Sequence, residues 1–211
     1  MSLISSSRVL GIVRFREPGD IEGVLTAMAE GGIDLLEVTI DTPGALEAVS
    51  VSAGIGRAIG VGTVRTGEQV KRCADAGARF VVSPGFDPEV LEAGHELGLE
   101  VIAGFLTATE LMTAERAGCD ALKLFPASLG GPAYLRALRG PFPDAAIVPT
   151  GGLAPDDVLP YLEAGATCVG LGGRLTGETP PASDRDLEAI SEGARRASRA
   201  ATTWLAGSGA R

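Results

Sequence analysis

An α/β fold, a single (β/α)8 TIM barrel, is predicted by three features of the 211-residue chain. Short Val- and Ile-rich runs alternate strictly with longer segments of helical period, eight times over. The runs are apolar almost throughout, as strands of a parallel sheet covered on both faces must be. The repeat is roughly 20 to 25 residues, compact for a barrel, and leaves little length for a lid domain. Strict alternation with right-handed crossovers closes a parallel sheet. A doubly wound open sheet is the alternative.

The predicted strands are "VLGIVRF" (9–15), "DLLEVTI" (34–40), "AIGVGTV" (58–64), "FVVSPG" (80–85), "EVIAGF" (100–105), "ALKLFPA" (121–127), "AIVPTGG" (146–152) and "CVGLGG" (168–173). The helical segments between them are 20–32, 43–54, 66–77, 87–98, 107–118, 132–140 and 154–165. Several open on Thr, Asp or Pro, which cap or start a helix, and several close on Ala-Gly or Gly-Gly. A last helix over about 184–205 follows the polar linker "TGETPPAS". The whole chain, 1–211, is expected to form one domain, with a disordered tail from about residue 206.

The totals exclude several classes of function. A net charge of −9 argues against a broad nucleic-acid face. It leaves room for a small anionic substrate held by local donors. Cys73, Cys119 and Cys168 are an odd, widely spaced set without a CxxC pair, which predicts reduced thiols and a cytoplasmic protein. The opening MSLISSSRVLGIVRF shows neither a signal peptide nor a membrane span.

Lysine usage singles out one position. Lys71 and Lys123 are the only lysines, and arginine supplies the other positive charges. An Arg-rich codon bias accounts for the scarcity, and Lys71 lies among polar neighbours on a helix. Lys123 is different, because Ala121, Leu122, Leu124 and Phe125 flank it in a strand. A charged ammonium there is costly unless it is paired or deprotonated. Arginine stays protonated and cannot act as an amine nucleophile. Glu37 interrupts "LLEVTI" in the same way. The two form either a buried ion pair or a nucleophile with an acid/base, since apolar surroundings lower a lysine pKa and raise a carboxyl pKa.

In a barrel of this kind chemistry gathers at the C-terminal ends of the strands. The polar residues there are Arg14, Glu37, Thr63, Ser83 with Pro84, Thr107, Lys123, Thr150 with Gly151 and Gly152, and Gly172 with Gly173. "PTGG" and "GLGG", after strands seven and eight, have the makings of a phosphate cradle. Arg14 is either an ordinary surface cation or a two-pronged grip on a carboxylate. The single His95 sits on a helix. Zinc-dependent chemistry would call for several imidazole ligands, so the composition favours a metal-free Schiff-base route with no cofactor.

The segments "EVTIDTPGALEAV", "GVGTV", "FVVSPGFDPEVLEA", "LKLFPAS", "GPFPDAAIVPTGG" and "GLGG" together resemble the class I KDPG/KHG aldolases, from about Gly11 to Leu175. The resemblance implies a metal-free homotrimeric lyase acting on 2-keto-3-deoxy-6-phosphosugar acids or 4-hydroxy-2-oxoglutarate, with pyruvate as a product. By position it makes Lys123 the Schiff-base lysine and Glu37 the acid/base. Thr63 would bind the pyruvoyl carboxylate, Pro84 and Phe125 would shape its pocket, and Thr150, Gly151, Gly152, Gly172 and Gly173 would line the substrate and phosphate site. Two positions depart from the pattern. Asp41 stands where KDPG aldolases usually carry a carboxylate-binding Arg, and Gly173 where they carry Ser. Arg14 on strand one would replace the missing Arg, which is similar to the phosphogalactonate branch. The roles of Asp41 and Arg174 stay open. A phosphosugar isomerase or epimerase, or a non-catalytic phosphosugar-binding barrel, are the competing readings.

Overall fold

The computed structural model describes residues 2–54 and 57–208. Eight parallel strands, β1 (Val9–Val13), β2 (Leu35–Thr39), β3 (Ile59–Gly62), β4 (Phe80–Val82), β5 (Glu100–Phe105), β6 (Ala121–Leu124), β7 (Ile147–Pro149) and β8 (Val169–Leu171), stand in the order β7-β6-β5-β4-β3-β2-β1-β8. A bridge between Thr150 and Gly170 joins the two ends, so the sheet is a nearly closed barrel with one thinly paired seam. Every expected run contains a strand, and most strands are shorter than the run. β4 stops before Pro84 and β6 before Pro126, each of which lacks the N–H a ladder needs.

Helices α1 (Leu3–Ser6), α2 (Ile21–Glu30), α3 (Ala45–Gly54), α4 (Gly67–Asp75), α5 (Pro88–Glu96), α6 (Ala108–Ala117), α7 (Gly131–Arg139), α8 (Val158–Glu163), α9 (Gly173–Thr176) and α10 (Asp184–Ser208) complete the chain. The sequence-level starts are real caps. The Asp20 carboxylate accepts from Gly23 N at 2.7 Å, Thr66 Oγ1 from Gln69 N at 3.2 Å, and Asp87 Oδ1 from Glu89 N at 2.8 Å. Single-residue reversals at Gly77 (φ 86°) and Gly118 (φ 90°) end α4 and α6. The short α1 and α9 were not legible, because four residues carry no period. α10 runs to Ser208, past residue 206, where a disordered tail is expected. Residues 209–211 of that tail lie outside the described residues. Among the described residues no helix is long and apolar enough to cross a membrane.

Two apolar layers hold the site in place. One lies between strands and helices. The other fills the barrel with Leu10, Ile12, Leu35, Phe80, Val82, Ile102, Ala121, Val148 and Cys168, and with Ile4 of α1 at one end. Leu3 N donates to Glu100 Oε1 at 2.7 Å and Ser2 Oγ to Glu100 Oε2 at 2.9 Å, which tie α1 to the start of β5. Side chains alternate along a strand. Arg14 therefore follows Ile12 on the inner face, as Glu37 follows Leu35, Lys123 follows Ala121 and Thr150 follows Val148. The hydrophobic plug thus ends in one polar layer.

Thr107, one of the strand-end polar residues, is a helix cap. Its hydroxyl accepts from Glu110 N at 3.4 Å, and Glu110 Oε2 accepts from Thr107 N at 2.8 Å and from Leu106 N at 2.8 Å. These bonds hold the Glu110 carboxyl below its usual pKa. Thr107→Ala is expected to cost about 1 kcal/mol, read as a fall in Tm of about 2–4 °C in a thermal melt.

Candidate active site

A cavity of about 140 Å³ opens at the C-terminal ends of the strands. Ile12, Arg14, Glu37, Lys123, Phe125, Thr150, Gly151, Gly152, Leu153, Gly172, Gly173 and Arg174 line it. Nine of the expected site residues are among these. The other two lie close by. Thr63 Oγ1 accepts a hydrogen bond from Arg14 Nη2 at 2.5 Å. Pro84 lines an adjoining cavity of about 520 Å³ that shares Phe125 with the first. Asp41 is exposed and does not line the cavity, while Ser83 is buried. His95 pairs with Asp120 at 3.0 Å on a helix, away from the mouth.

Glu37 is fully buried, and neither carboxyl oxygen has a hydrogen-bond partner among the described residues. Burial pushes its pKa up, opposed by the charges of Lys123 and then Arg14. Lys123 is 7% exposed. Burial pulls its pKa down from the ordinary lysine range, the Glu37 charge works the other way, and the Arg14 charge adds to the decrease. No direct hydrogen bond or ion pair joins the two among the described residues. They feel each other across the cavity, and each is driven towards its neutral form by desolvation. An uncharged amine is a nucleophile towards carbonyl carbon, and a carboxyl of raised pKa can both give and take a proton near neutrality.

The spacing of the pair depends on glycines whose role is not apparent from sequence. A Cβ on Gly62 would collide with Glu37 Oε1, so the bare strand β3 is what makes room for that carboxyl. A Cβ on Gly170 would collide with Thr150 Oγ1 at the barrel seam. Gly151 (φ 98°) lies under the Phe125 ring, where a Cβ would come within 2.8 Å of it. The same ring stands 5.2 Å from Lys123 Nζ and walls the amine on one side. Thr63 holds φ 61°, an unfavourable left-handed conformation for a β-branched residue, where its hydroxyl meets Arg14.

Arg174, Ile12 and Leu153 line the cavity but were not assigned a place in it from sequence. Ile12 had a usable signal, since it precedes Arg14 by two residues on one strand face. Arg174 had only its position after Gly172 and Gly173. Among the described residues no group of three His, Cys, Asp or Glu side chains is gathered as a metal cluster.

The sequence model of the KDPG and KHG aldolases matches residues 1–192. The chain belongs to the KDPG and KHG aldolase family. It is 34% identical to the 2-dehydro-3-deoxy-6-phosphogalactonate aldolase of Escherichia coli over 79% of this chain and 83% of that protein. Its identity to the 2-dehydro-3-deoxy-phosphogluconate aldolase of Pseudomonas aeruginosa is 36%, over 80% of this chain and 79% of that one. A crystal structure of the KDPG aldolase of Legionella pneumophila, with pyruvate captured as a covalent carbinolamine, superposes with a TM-score of 0.78 at 32% identity, covering 91% of this chain and 95% of that one. An aldehyde-lyase family and a barrel with a buried amine at its mouth are thus found in the same molecule.

The electrostatic coupling has a sign that can be measured. The Glu37 charge raises the Lys123 pKa and the Arg14 charge lowers it. The pH at which Lys123 becomes reactive to an acetylating reagent, followed by peptide mass spectrometry, is therefore expected to fall in Glu37→Gln and to rise in Arg14→Ala.

Proposed function

We propose that this protein is a class I Schiff-base aldolase that cleaves a 2-keto-3-deoxy-6-phosphosugar acid to pyruvate and glyceraldehyde 3-phosphate. The observation that carries the reading is a buried amine and a buried, unpartnered carboxyl lining one cavity without bonding to each other. A structural ion pair would place them in contact, because contact offsets the cost of burying both charges.

The cycle begins with the neutral Lys123 amine adding to the C2 ketone. The carbinolamine takes a proton from Glu37 and loses water to give an iminium ion, which leaves Glu37 as the carboxylate. Glu37 takes the C4 hydroxyl proton, the C3–C4 bond breaks, and its electron pair moves into the iminium to give an enamine. Glyceraldehyde 3-phosphate leaves. The enamine is protonated at C3 by Glu37, and hydrolysis of the resulting iminium releases pyruvate and the free amine and returns a proton to Glu37. Arg14 and Thr63, already joined at 2.5 Å, orient the carboxylate beside C2. Phe125 and Pro84, on the two sides of one wall, shape the space around the pyruvoyl group. Thr150, Gly151, Gly152, Gly172 and Gly173 form the floor on which the rest of the substrate lies, and holding both ends places the breaking bond over the carboxyl.

The phosphogalactonate epimer is favoured over the gluconate one. Arg14, directly after β1, lines the cavity, and exposed Asp41 after β2 does not. The carboxylate grip thus comes from the first strand. The assembly in this reading is a homotrimer in the cytoplasm. Leu129, 72% exposed, and Phe125, 38% exposed, lie in the loop after β6 and give it apolar surface to bury.

Borohydride added with pyruvate is expected to fix an adduct on Lys123, and Lys123→Met is expected to abolish both adduct and turnover. A protein that stays unlabelled, or a fully active Lys123→Met, would remove the Schiff-base route. In Arg14→Ala the KM for pyruvate in the condensation direction is expected to rise roughly 10- to 100-fold, the worth of one or two hydrogen bonds to a charged group. Light scattering should give a mass three times that of the 21.4 kDa chain.

A further inference from the structure

The cavity holds a second arginine that the cycle above does not use. Arg174 lines it together with Lys123 and Glu37. Its anchoring is firm. Its neighbours Leu175 and Thr176 are buried, their amides donate to Gly172 O at 2.7 and 3.1 Å, and Thr176 Oγ1 donates to Ile12 O at 3.4 Å. The backbone of the residue is thus pinned to β1 while its side chain is exposed at the mouth. Arg14 donates to Thr63. The Arg174 guanidinium has no hydrogen-bond or ion-pair partner among the described residues, even though Glu178 lies beside Gly173.

The surface next to it is bare. A Cβ on Gly172 would find only Ile12 within 4 Å, at 3.9 Å, so internal packing does not call for glycine there. Gly173 offers no side chain of its own. A planar fork of five donors over such a floor matches phosphate or carboxylate oxygens in pairs. The charge balance agrees. A substrate with a carboxylate and a phosphate brings between two and three negative charges to the site. In a chain of net charge −9, Arg14 and Arg174 are the cations at the cavity once Lys123 is neutral.

We infer that Arg174 binds the distal anion of the substrate, the phosphate of the 2-keto-3-deoxy-6-phosphosugar acid; the inference rests on the aldolase reading above. Arg14 with Thr63 then holds one end of the substrate and Arg174 the other, with Lys123 and Glu37 between them. Substrates that lack a distal anion have nothing for Arg174 to hold.

The test is steady-state kinetics of the full chain and of Arg174→Met and Arg174→Lys. The substrates are 2-keto-3-deoxy-6-phosphogalactonate, its unphosphorylated parent and 4-hydroxy-2-oxoglutarate, and solvent deuterium exchange into the pyruvate methyl group reads the other end of the site. Arg174→Met is expected to raise the KM for the phosphorylated acid roughly 10- to 100-fold. Arg174→Lys recovers part of the loss, because it keeps the charge without the fork. The unphosphorylated parent is expected to change by less than about twofold. An equal loss on phosphorylated and unphosphorylated acids, or an unchanged KM for the phosphorylated acid, overturns the assignment. So does a loss seen on the dicarboxylate alone. A loss on both anionic substrates, with the neutral-ended one spared, supports it. Deuterium exchange in Arg174→Met reports that the variant is folded. If wild-type protein exchanges no deuterium into pyruvate, the aldolase reading fails first, and the Arg174 assignment falls with it.

Discussion

Two ionisable side chains kept from water and from each other are the constraint on which the molecule turns. In bulk water Lys123 would be an ammonium and Glu37 a carboxylate, and neither would have much chemistry to offer. At the mouth of the barrel desolvation acts on both, in opposite directions on the pKa scale and in the same direction on charge. Direct contact would let them settle as an ion pair. Both line one cavity without touching, and the carboxyl has no hydrogen-bond partner among the described residues. A buried group without a partner lowers stability, so the arrangement is held together by everything packed around it.

That support is plain hydrocarbon and bare backbone. Beneath the polar layer the barrel is filled by side chains such as Leu10, Phe80, Ile102 and Val148, and Ile4 closes one end. This apolar filling forms the lower wall of the site that holds the amine. Around the polar layer, glycines leave the space that larger residues would take. Gly62 leaves room for the Glu37 carboxyl and Gly170 for Thr150, while Gly151 lets Phe125 lie close to the amine. One strained backbone angle, at Thr63, is retained where its hydroxyl meets Arg14.

The charge distribution has a matching logic. The chain as a whole repels anions, yet its candidate ligand is an anion at both ends. At the mouth the balance reverses over a few ångströms, with two guanidinium groups and a carboxyl whose charge is suppressed by burial. Short-range donors in a partly dry cavity outweigh a screened net charge spread over the surface. The seam between β7 and β8 adds to this, because its thin pairing lies between the loops that carry Gly151, Gly152, Gly172 and Gly173.

Much of this was legible before any coordinates. Eight apolar runs alternating with helical segments called for a parallel sheet covered on both faces, and their number pointed to a closed barrel over a doubly wound open sheet. Lys123 and Glu37 stood out for the same reason, as charges inside runs that have no use for charge. Arg14 and Thr150 stood out as polar residues at the ends of strands, where chemistry gathers in a barrel. The separation of Thr107 from the site, the division of the mouth by the Phe125 ring, the dependence of Glu37 on Gly62 and the presence of Arg174 in the cavity belong to the tertiary structure alone. Each depends on which atoms meet across strands far apart in sequence, and a linear pattern of apolar and polar residues records the face a side chain is on but not the neighbour it meets there.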